Sequence, residues 1–127
     1  MGRHHKILLV DDEKELVSTL AERLGYRGID AHWAVTPNDA IAMLSEQRYD
    51  IAVLDVQMPD MNGFELKERM EAISPALKFI FMTGHGSEEC YHEGCSQTGE
   101  AFYLVKPVEI DSLIEKLNQV MRNGGNS

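Results

Sequence analysis

The chain of 127 residues is 43% hydrophobic and sets twelve Lys and Arg against twenty-one Asp and Glu, a net charge of −9. That length suits one domain of about 100–200 residues with a core of its own, and is too short to join a signalling or catalytic domain to a separate DNA-reading one. The acidic balance argues against nucleic-acid phosphates and against anionic membrane surfaces, both of which are held by Lys and Arg.

Cys90 and Cys95 are too few for a disulfide framework. No apolar stretch approaches the ~18 residues of a membrane span. The run Ile7–Val10, behind a basic start, is too short for a signal peptide. The expectation is a soluble cytoplasmic domain over 1–127, with its core in 5–122 and a flexible polar tail at 123–127.

Lys6–Val10 is a short continuous apolar run, the pattern of a strand buried on both faces. Leu16, Val17, Leu20 and Leu24 then form one helical stripe, which Gly25 is expected to end. Ile29–Ala34 reads as a strand. Thr36-Pro37 has the form of a helix cap followed by proline at the first helical position, with Ala40, Ile41 and Leu44 as the apolar face. Asp50–Leu54 repeats the buried-strand pattern and is closed by Asp55. Met58–Gly63 is a loop rich in breakers. Asn62 then caps a third helix, with Glu65 three residues on and Leu66, Met70 and Ile73 facing inward. Ser74-Pro75 breaks that helix, and Leu77–Met82 is a fourth strand ending at Thr83-Gly84. Residues 85–99 carry Gly86, Gly94 and Gly99 and almost no apolar stripe. A short helix is expected near 87–94, mobile or irregular before any modification. Ala101–Val105 is the fifth strand, closed by Lys106-Pro107. Ile110, Leu113, Ile114, Leu117, Val120 and Met121 give the last helix the clearest stripe in the chain.

Five strands alternating with five helices predict an α/β fold, a parallel sheet covered on both faces. Ligands of such sheets bind beyond the carboxyl ends of the strands, where strand order reverses. Asp11 and Asp12 close the first strand, Asp55 the third, Thr83 the fourth and Lys106 the fifth. Carboxylates packed at one edge repel and hold protons more tightly. A divalent cation relieves this, and a set of hard oxygens favours Mg2+ over Zn2+. Asp55 is the candidate nucleophile toward phosphorus. The metal and Lys106 would neutralise charge on the phosphoryl oxygens, and Thr83 would donate a hydrogen bond to them. Singly, these residues have blander readings. Asp11-Asp12 suits a solvated turn and helix cap, Lys106-Pro107 a turn, and Tyr103 a half-buried edge aromatic. Their joint arrival at matching strand ends is what favours a site.

The motifs Leu8-Leu9-Val10-Asp11-Asp12, Val53-Leu54-Asp55-Val56-Gln57-Met58-Pro59-Asp60-Met61-Asn62-Gly63, Met82-Thr83-Gly84 and Tyr103-Leu104-Val105-Lys106-Pro107 resemble a response-regulator receiver domain of two-component signalling, of the chemotaxis-regulator kind. The resemblance runs from about Lys6 to Met121. It implies a flavodoxin-like sheet of order 2-1-3-4-5. It implies that Asp55 accepts phosphate from a sensor histidine kinase or phosphotransfer protein. Mg2+ would be bound by Asp12 directly, by Asp11 largely through water, by Asp55 and by the Gln57 carbonyl. Lys106 would pair with the phosphoryl group, across a cis bond to Pro107. Thr83 and Tyr103 would form the switch, Thr83 drawn to the phosphate and Tyr103 turning inward behind it. The family reads out through its fourth helix, fifth strand and fifth helix to a downstream protein, here unidentified, and a phosphorylation-dependent homodimer is compatible with that. Such a protein is a switch and not an enzyme beyond its own phosphorylation and dephosphorylation.

Gln57 and His85, two residues past Asp55 and Thr83, stand where the family tunes loss of the phosphate. A phosphatase of the haloacid dehalogenase type would place a second aspartate where this chain has Gln57. A flavin site would need a phosphate loop where Asp11-Asp12-Glu13 stands. Cys90, His92 and Cys95 match no standard zinc spacing.

Overall fold

The computed structural model describes residues 5–59, 61–84 and 102–125. Strands β1 (Lys6–Val10), β2 (Asp30–Ala34), β3 (Ile51–Asp55), β4 (Lys78–Thr83) and β5 (Phe102–Val105) form one parallel sheet in the order β2-β1-β3-β4-β5. The described residues hold four helices, α1 (Lys14–Tyr26), α2 (Pro37–Glu46), α3 (Gly63–Ile73) and α4 (Ile110–Gly125). The helix expected near 87–94, fourth in chain order, lies with its expected mobility outside the described residues, as do His85, Cys90, His92 and Cys95. No described helix is long and apolar enough to cross a membrane.

Successive strand residues point to opposite faces, so each apolar run feeds two cores. Ile7, Leu9, Ile51, Val53, Ile80 and Met82 pack with Val17, Leu20 and Leu24 of α1 and Leu113, Leu117 and Val120 of α4. Leu8, Val10, Ala52, Leu54, Phe79 and Phe81 pack with Ala40 and Leu44 of α2 and Phe64, Leu66 and Met70 of α3. With no solvent face to alternate toward, the central strands β1, β3 and β4 have no reason to be polar at every second position.

Two expectations about helix ends are corrected. Gly25 does not stop α1, which runs on to Tyr26. The left-handed residue is Gly28, at φ 80°. Its N–H donates to the Gly25 carbonyl and the Ile29 N–H to the Leu24 carbonyl, each at 3.0 Å, the paired bonds of a Schellman end. Ile73 does not face inward but is 45% exposed. It is the last residue of α3, beside the cap Ser74. Periodicity sets the direction of a side chain, not how far the neighbouring layer extends.

The start signals hold. Thr36 accepts from the Asp39 N–H at 3.1 Å, with Pro37 opening α2. Asn62 accepts from the Glu65 N–H at 2.9 Å while Glu65 reaches back to the Asn62 N–H at 3.4 Å, a complete capping box. Asn62→Ala is expected to lose about 1 kcal/mol and roughly 3–5 °C of thermal midpoint, read by circular dichroism melts.

Candidate functional site

Strand register brings the site together. β1 pairs Val10 with Leu54 and β3 pairs Asp55 with Met82, so Asp11 and Asp55 fall side by side one step further on. β3 runs one residue later than expected, which places Asp55 inside the ladder. β4 pairs Thr83 with Val105, so Lys106 emerges at the same edge, and its N–H donates to the Thr83 carbonyl at 2.8 Å. The Lys106–Pro107 peptide is cis.

Carboxylate oxygens of Asp11, Asp12 and Asp55 lie within 4.8 Å of one another. Asp11 and Asp55 are buried, Asp12 exposed. The Lys106 Nζ sits 2.6 Å from Asp11 Oδ2, 3.1 Å from Glu13 Oε1 and 3.5 Å from Asp55 Oδ2. The second oxygens take backbone donors: Asp11 Oδ1 from the Glu13 N–H at 2.9 Å, and Asp55 Oδ1 from the Gln57 N–H at 3.2 Å. Gln57 itself is exposed.

These charges do not balance, and proton affinities show it. Burial raises the Asp55 carboxyl, the Asp11 charge raises it further, and Lys106 offsets only part, leaving it at about 6. Burial also raises Asp11, against the pull of Lys106. Burial works to lower Lys106, but Asp11, then Asp55 and Glu13, outweigh it and hold the ammonium above the usual lysine range.

The bland reading of Asp11-Asp12 as a helix cap fails. The N-cap of α1 is Glu13, whose side chain makes no cap hydrogen bond and turns to Lys106 instead. Glu13 was not singled out in the sequence as a partner of Lys106. The only hint was another acid beside Asp11-Asp12, and its partner stands 93 residues away.

Gly63 is also part of the site's construction. A Cβ there would lie 2.5 Å from the Asp55 carbonyl oxygen, and the Gly63 N–H donates to the Val56 carbonyl at 2.9 Å. The obstacle is backbone and cannot rotate away. Gly63→Ala is expected to cost about 1–3 kcal/mol, seen as a lower urea midpoint with an unchanged slope.

Thr83 is buried at the end of β4. Tyr103 is half-buried, packs against the core of α2 and α3, and stacks on Phe81 with ring centroids 5.5 Å apart and 27° between planes. Phe81 pairs with Tyr103 in the ladder, and Thr83 follows Phe81 by two residues. Thr83 and Tyr103 therefore share one face of the sheet on adjacent strands.

A doubly wound parallel sheet with acids and a lysine at its switch point defines a flavodoxin-like architecture. Residues 7–118 match the response regulator receiver domain family, and the chain belongs to it. It is 31% identical over 124 residues to the probable transcriptional regulatory protein TcrX of Mycobacterium tuberculosis, covering 98% of this chain and 53% of that protein. It is 27% identical over 118 residues to sporulation initiation phosphotransferase F of Bacillus subtilis, covering 93% of this chain and 94% of that one. A CheY-like receiver domain from Methanospirillum hungatei has a TM-score of 0.86 at 27% identity, with 98% of each chain covered. The chain spans about half or less of the first curated relatives, 53% of TcrX and 32% of the Bacillus subtilis regulator YesN.

Proposed function

We propose that this chain is a phosphorylation-controlled switch of the cytoplasm. Asp55 accepts a phosphoryl group from a histidine kinase or phosphotransfer protein, and the phosphorylated form controls a downstream protein. The observation that carries this is the placement of Asp55 beside Lys106 and two other aspartates, with its own oxygens only loosely held. Asp11 is tied at 2.6 and 2.9 Å, whereas the Asp55 contacts are 3.5 and 3.2 Å, which leaves lone pairs available for attack.

In the transfer, an Asp55 oxygen forms a bond to phosphorus as the bond from phosphorus to the donor imidazole nitrogen breaks, and the imidazole keeps the electron pair. Lys106 offsets charge on the phosphoryl oxygens. The donor set fits Mg2+, because the clustered acids supply only hard oxygens and their mutual repulsion needs a cation. Asp11, Asp12, Asp55 and the Gln57 carbonyl would hold it. When bound, Mg2+ supplies further neutralisation of the phosphoryl charge. The chemistry proposed for this site is gain and loss of the chain's own phosphoryl group.

Phosphorylation adds about −1.5 to −2 charges at one point. New contacts to Thr83 and Lys106 exist only in that state, so they bias the arrangement of Thr83 and Tyr103. A swing from 1:99 to 99:1 takes about 5.5 kcal/mol, the order a few charge-assisted hydrogen bonds supply. β5 and α4 carry the described part of the surface that a partner would read.

Incubation with Mg2+ and acetyl phosphate, followed by intact mass, is expected to add one phosphoryl group. The gain should vanish in Asp55→Asn and without Mg2+. No gain, or a gain that survives in Asp55→Asn, overturns this function.

A further inference from the structure

An ammonium has three N–H donors and no acceptor. Those of Lys106 face three carboxylates, Asp11 at 2.6 Å, Glu13 at 3.1 Å and Asp55 at 3.5 Å. Asp55 is the most distant partner, so the resting lysine leans away from the group on which the proposed function depends. Glu13 is the most exposed of the three, with 63% of its side chain open against 0% for Asp11 and 6% for Asp55. It stands at the N-cap of α1, yet its side chain does no capping.

We infer that Glu13 is a positioning residue that competes with a phosphoryl group on Asp55 for the Lys106 ammonium. The inference rests on the reading of Asp55 as phosphoacceptor and adds a regulator of that same site. A phosphoryl group on Asp55 brings new acceptor oxygens and about −1.5 to −2 charges within reach of Nζ. To donate fully to them, Lys106 must give up a present partner. The Asp11 contact is the shorter one and is fully buried, so water cannot take the place of the ammonium there, whether or not Mg2+ shares the Asp11 charge. Releasing Glu13 costs little, because water solvates an exposed carboxylate as it leaves. Glu13 is therefore the partner that lets go, and its hold on Lys106 subtracts from the affinity of the site for a phosphoryl group. Since the pair is exposed, the penalty is a few-fold and not orders of magnitude.

Beryllium fluoride, which caps a carboxylate in the shape of a phosphoryl group, is the probe. It is titrated by calorimetry into the whole chain with Mg2+. Glu13→Gln, which keeps the size of the side chain and removes its charge, is expected to bind the probe roughly two- to five-fold tighter. Glu15→Gln removes the same charge from another exposed position in the first turn of α1. The ion pairs of Lys106 are with Asp11, Glu13 and Asp55 and not with Glu15, and water and salt screen an exposed charge outside them, so that variant should stay within about 1.3-fold of the unaltered chain. Glu13→Asp keeps the charge but shortens its reach, and should move toward the Gln variant. Unchanged or weaker binding by Glu13→Gln overturns the proposal. So does an equal gain in Glu15→Gln, which would reveal a general field effect. If the unaltered chain neither binds the probe nor takes phosphate from acetyl phosphate, the reading of Asp55 falls and this inference with it. If it does both and Glu13→Gln shows no gain, only the role of Glu13 falls.

Discussion

Asp55→Asn is expected to stabilise the folded chain near neutral pH without Mg2+, by on the order of 2–3 kcal/mol. The Asp55 carboxyl rises from 3.8 to about 6 in the fold, first through burial and then through Asp11. A carboxyl with a raised folded proton affinity supports the fold when protonated, and that support is lost as pH rises through about 6. At about pH 7.5 the aspartate is therefore charged at a cost that a neutral, nearly isosteric asparagine avoids. At about pH 3.5, below the ordinary value of 3.8, the aspartate is mostly protonated in the folded and the unfolded chain alike, and the advantage of asparagine should shrink to well under 1 kcal/mol. Urea unfolding of both proteins at the two pH values measures this directly. Adding Mg2+ should close the gap at neutral pH, because a divalent cation offsets the same repulsion. An asparagine variant less stable than the parent at about pH 7.5, or equally stabilised at both pH values, would contradict the electrostatic account of the site.

The strain at Asp55 was legible in the sequence only as far as strand ends were legible. Ile7–Val10 and Phe79–Met82 announce themselves because a strand buried on both faces favours an unbroken apolar run. Once they are strands of a parallel sheet, the rule for carboxyl edges gathers Asp11, Asp55, Thr83 and Lys106 without any knowledge of register. Register was the part that could not be read. It put Asp55 within β3, opposite Met82, and so decided that the carboxylate would be buried. The Glu13–Lys106 contact was hidden for the same reason, since it depends on where the end of β5 falls relative to the start of α1. Ile73 and Gly25 show the complementary limit. A periodic stripe and a breaker residue are local signals, while the length of a helix and the exposure of its last turn are set by the layer it packs against.

Lys106→Met should be the most damaging single change in the site. Lys106 is the cation that Asp11 and Asp55 share, and Asp11 is fully buried. Removing one partner of a buried pair costs about 3–5 kcal/mol, since it leaves an uncompensated charge in the fold. At about pH 7.5 the thermal midpoint should fall by roughly 10 °C or more. The loss should ease as pH falls, because the abandoned carboxyls, already raised in the parent, then take up protons within the fold. Combining Lys106→Met with Asp55→Asn should cost less than the sum of the separate effects, because fewer charges are left stranded. The backbone bond from Lys106 N–H to Thr83 does not depend on the side chain, so β4 and β5 should stay joined. That separation allows a test of the switch itself. Under the proposed function, Mg2+ and acetyl phosphate should still phosphorylate Asp55 in the methionine variant, though more slowly. The Tyr103 ring, followed by nuclear magnetic resonance, should then fail to shift as it does in the parent. A normal Tyr103 response without the lysine would mean that Thr83 alone carries the signal from the phosphoryl group to the sheet.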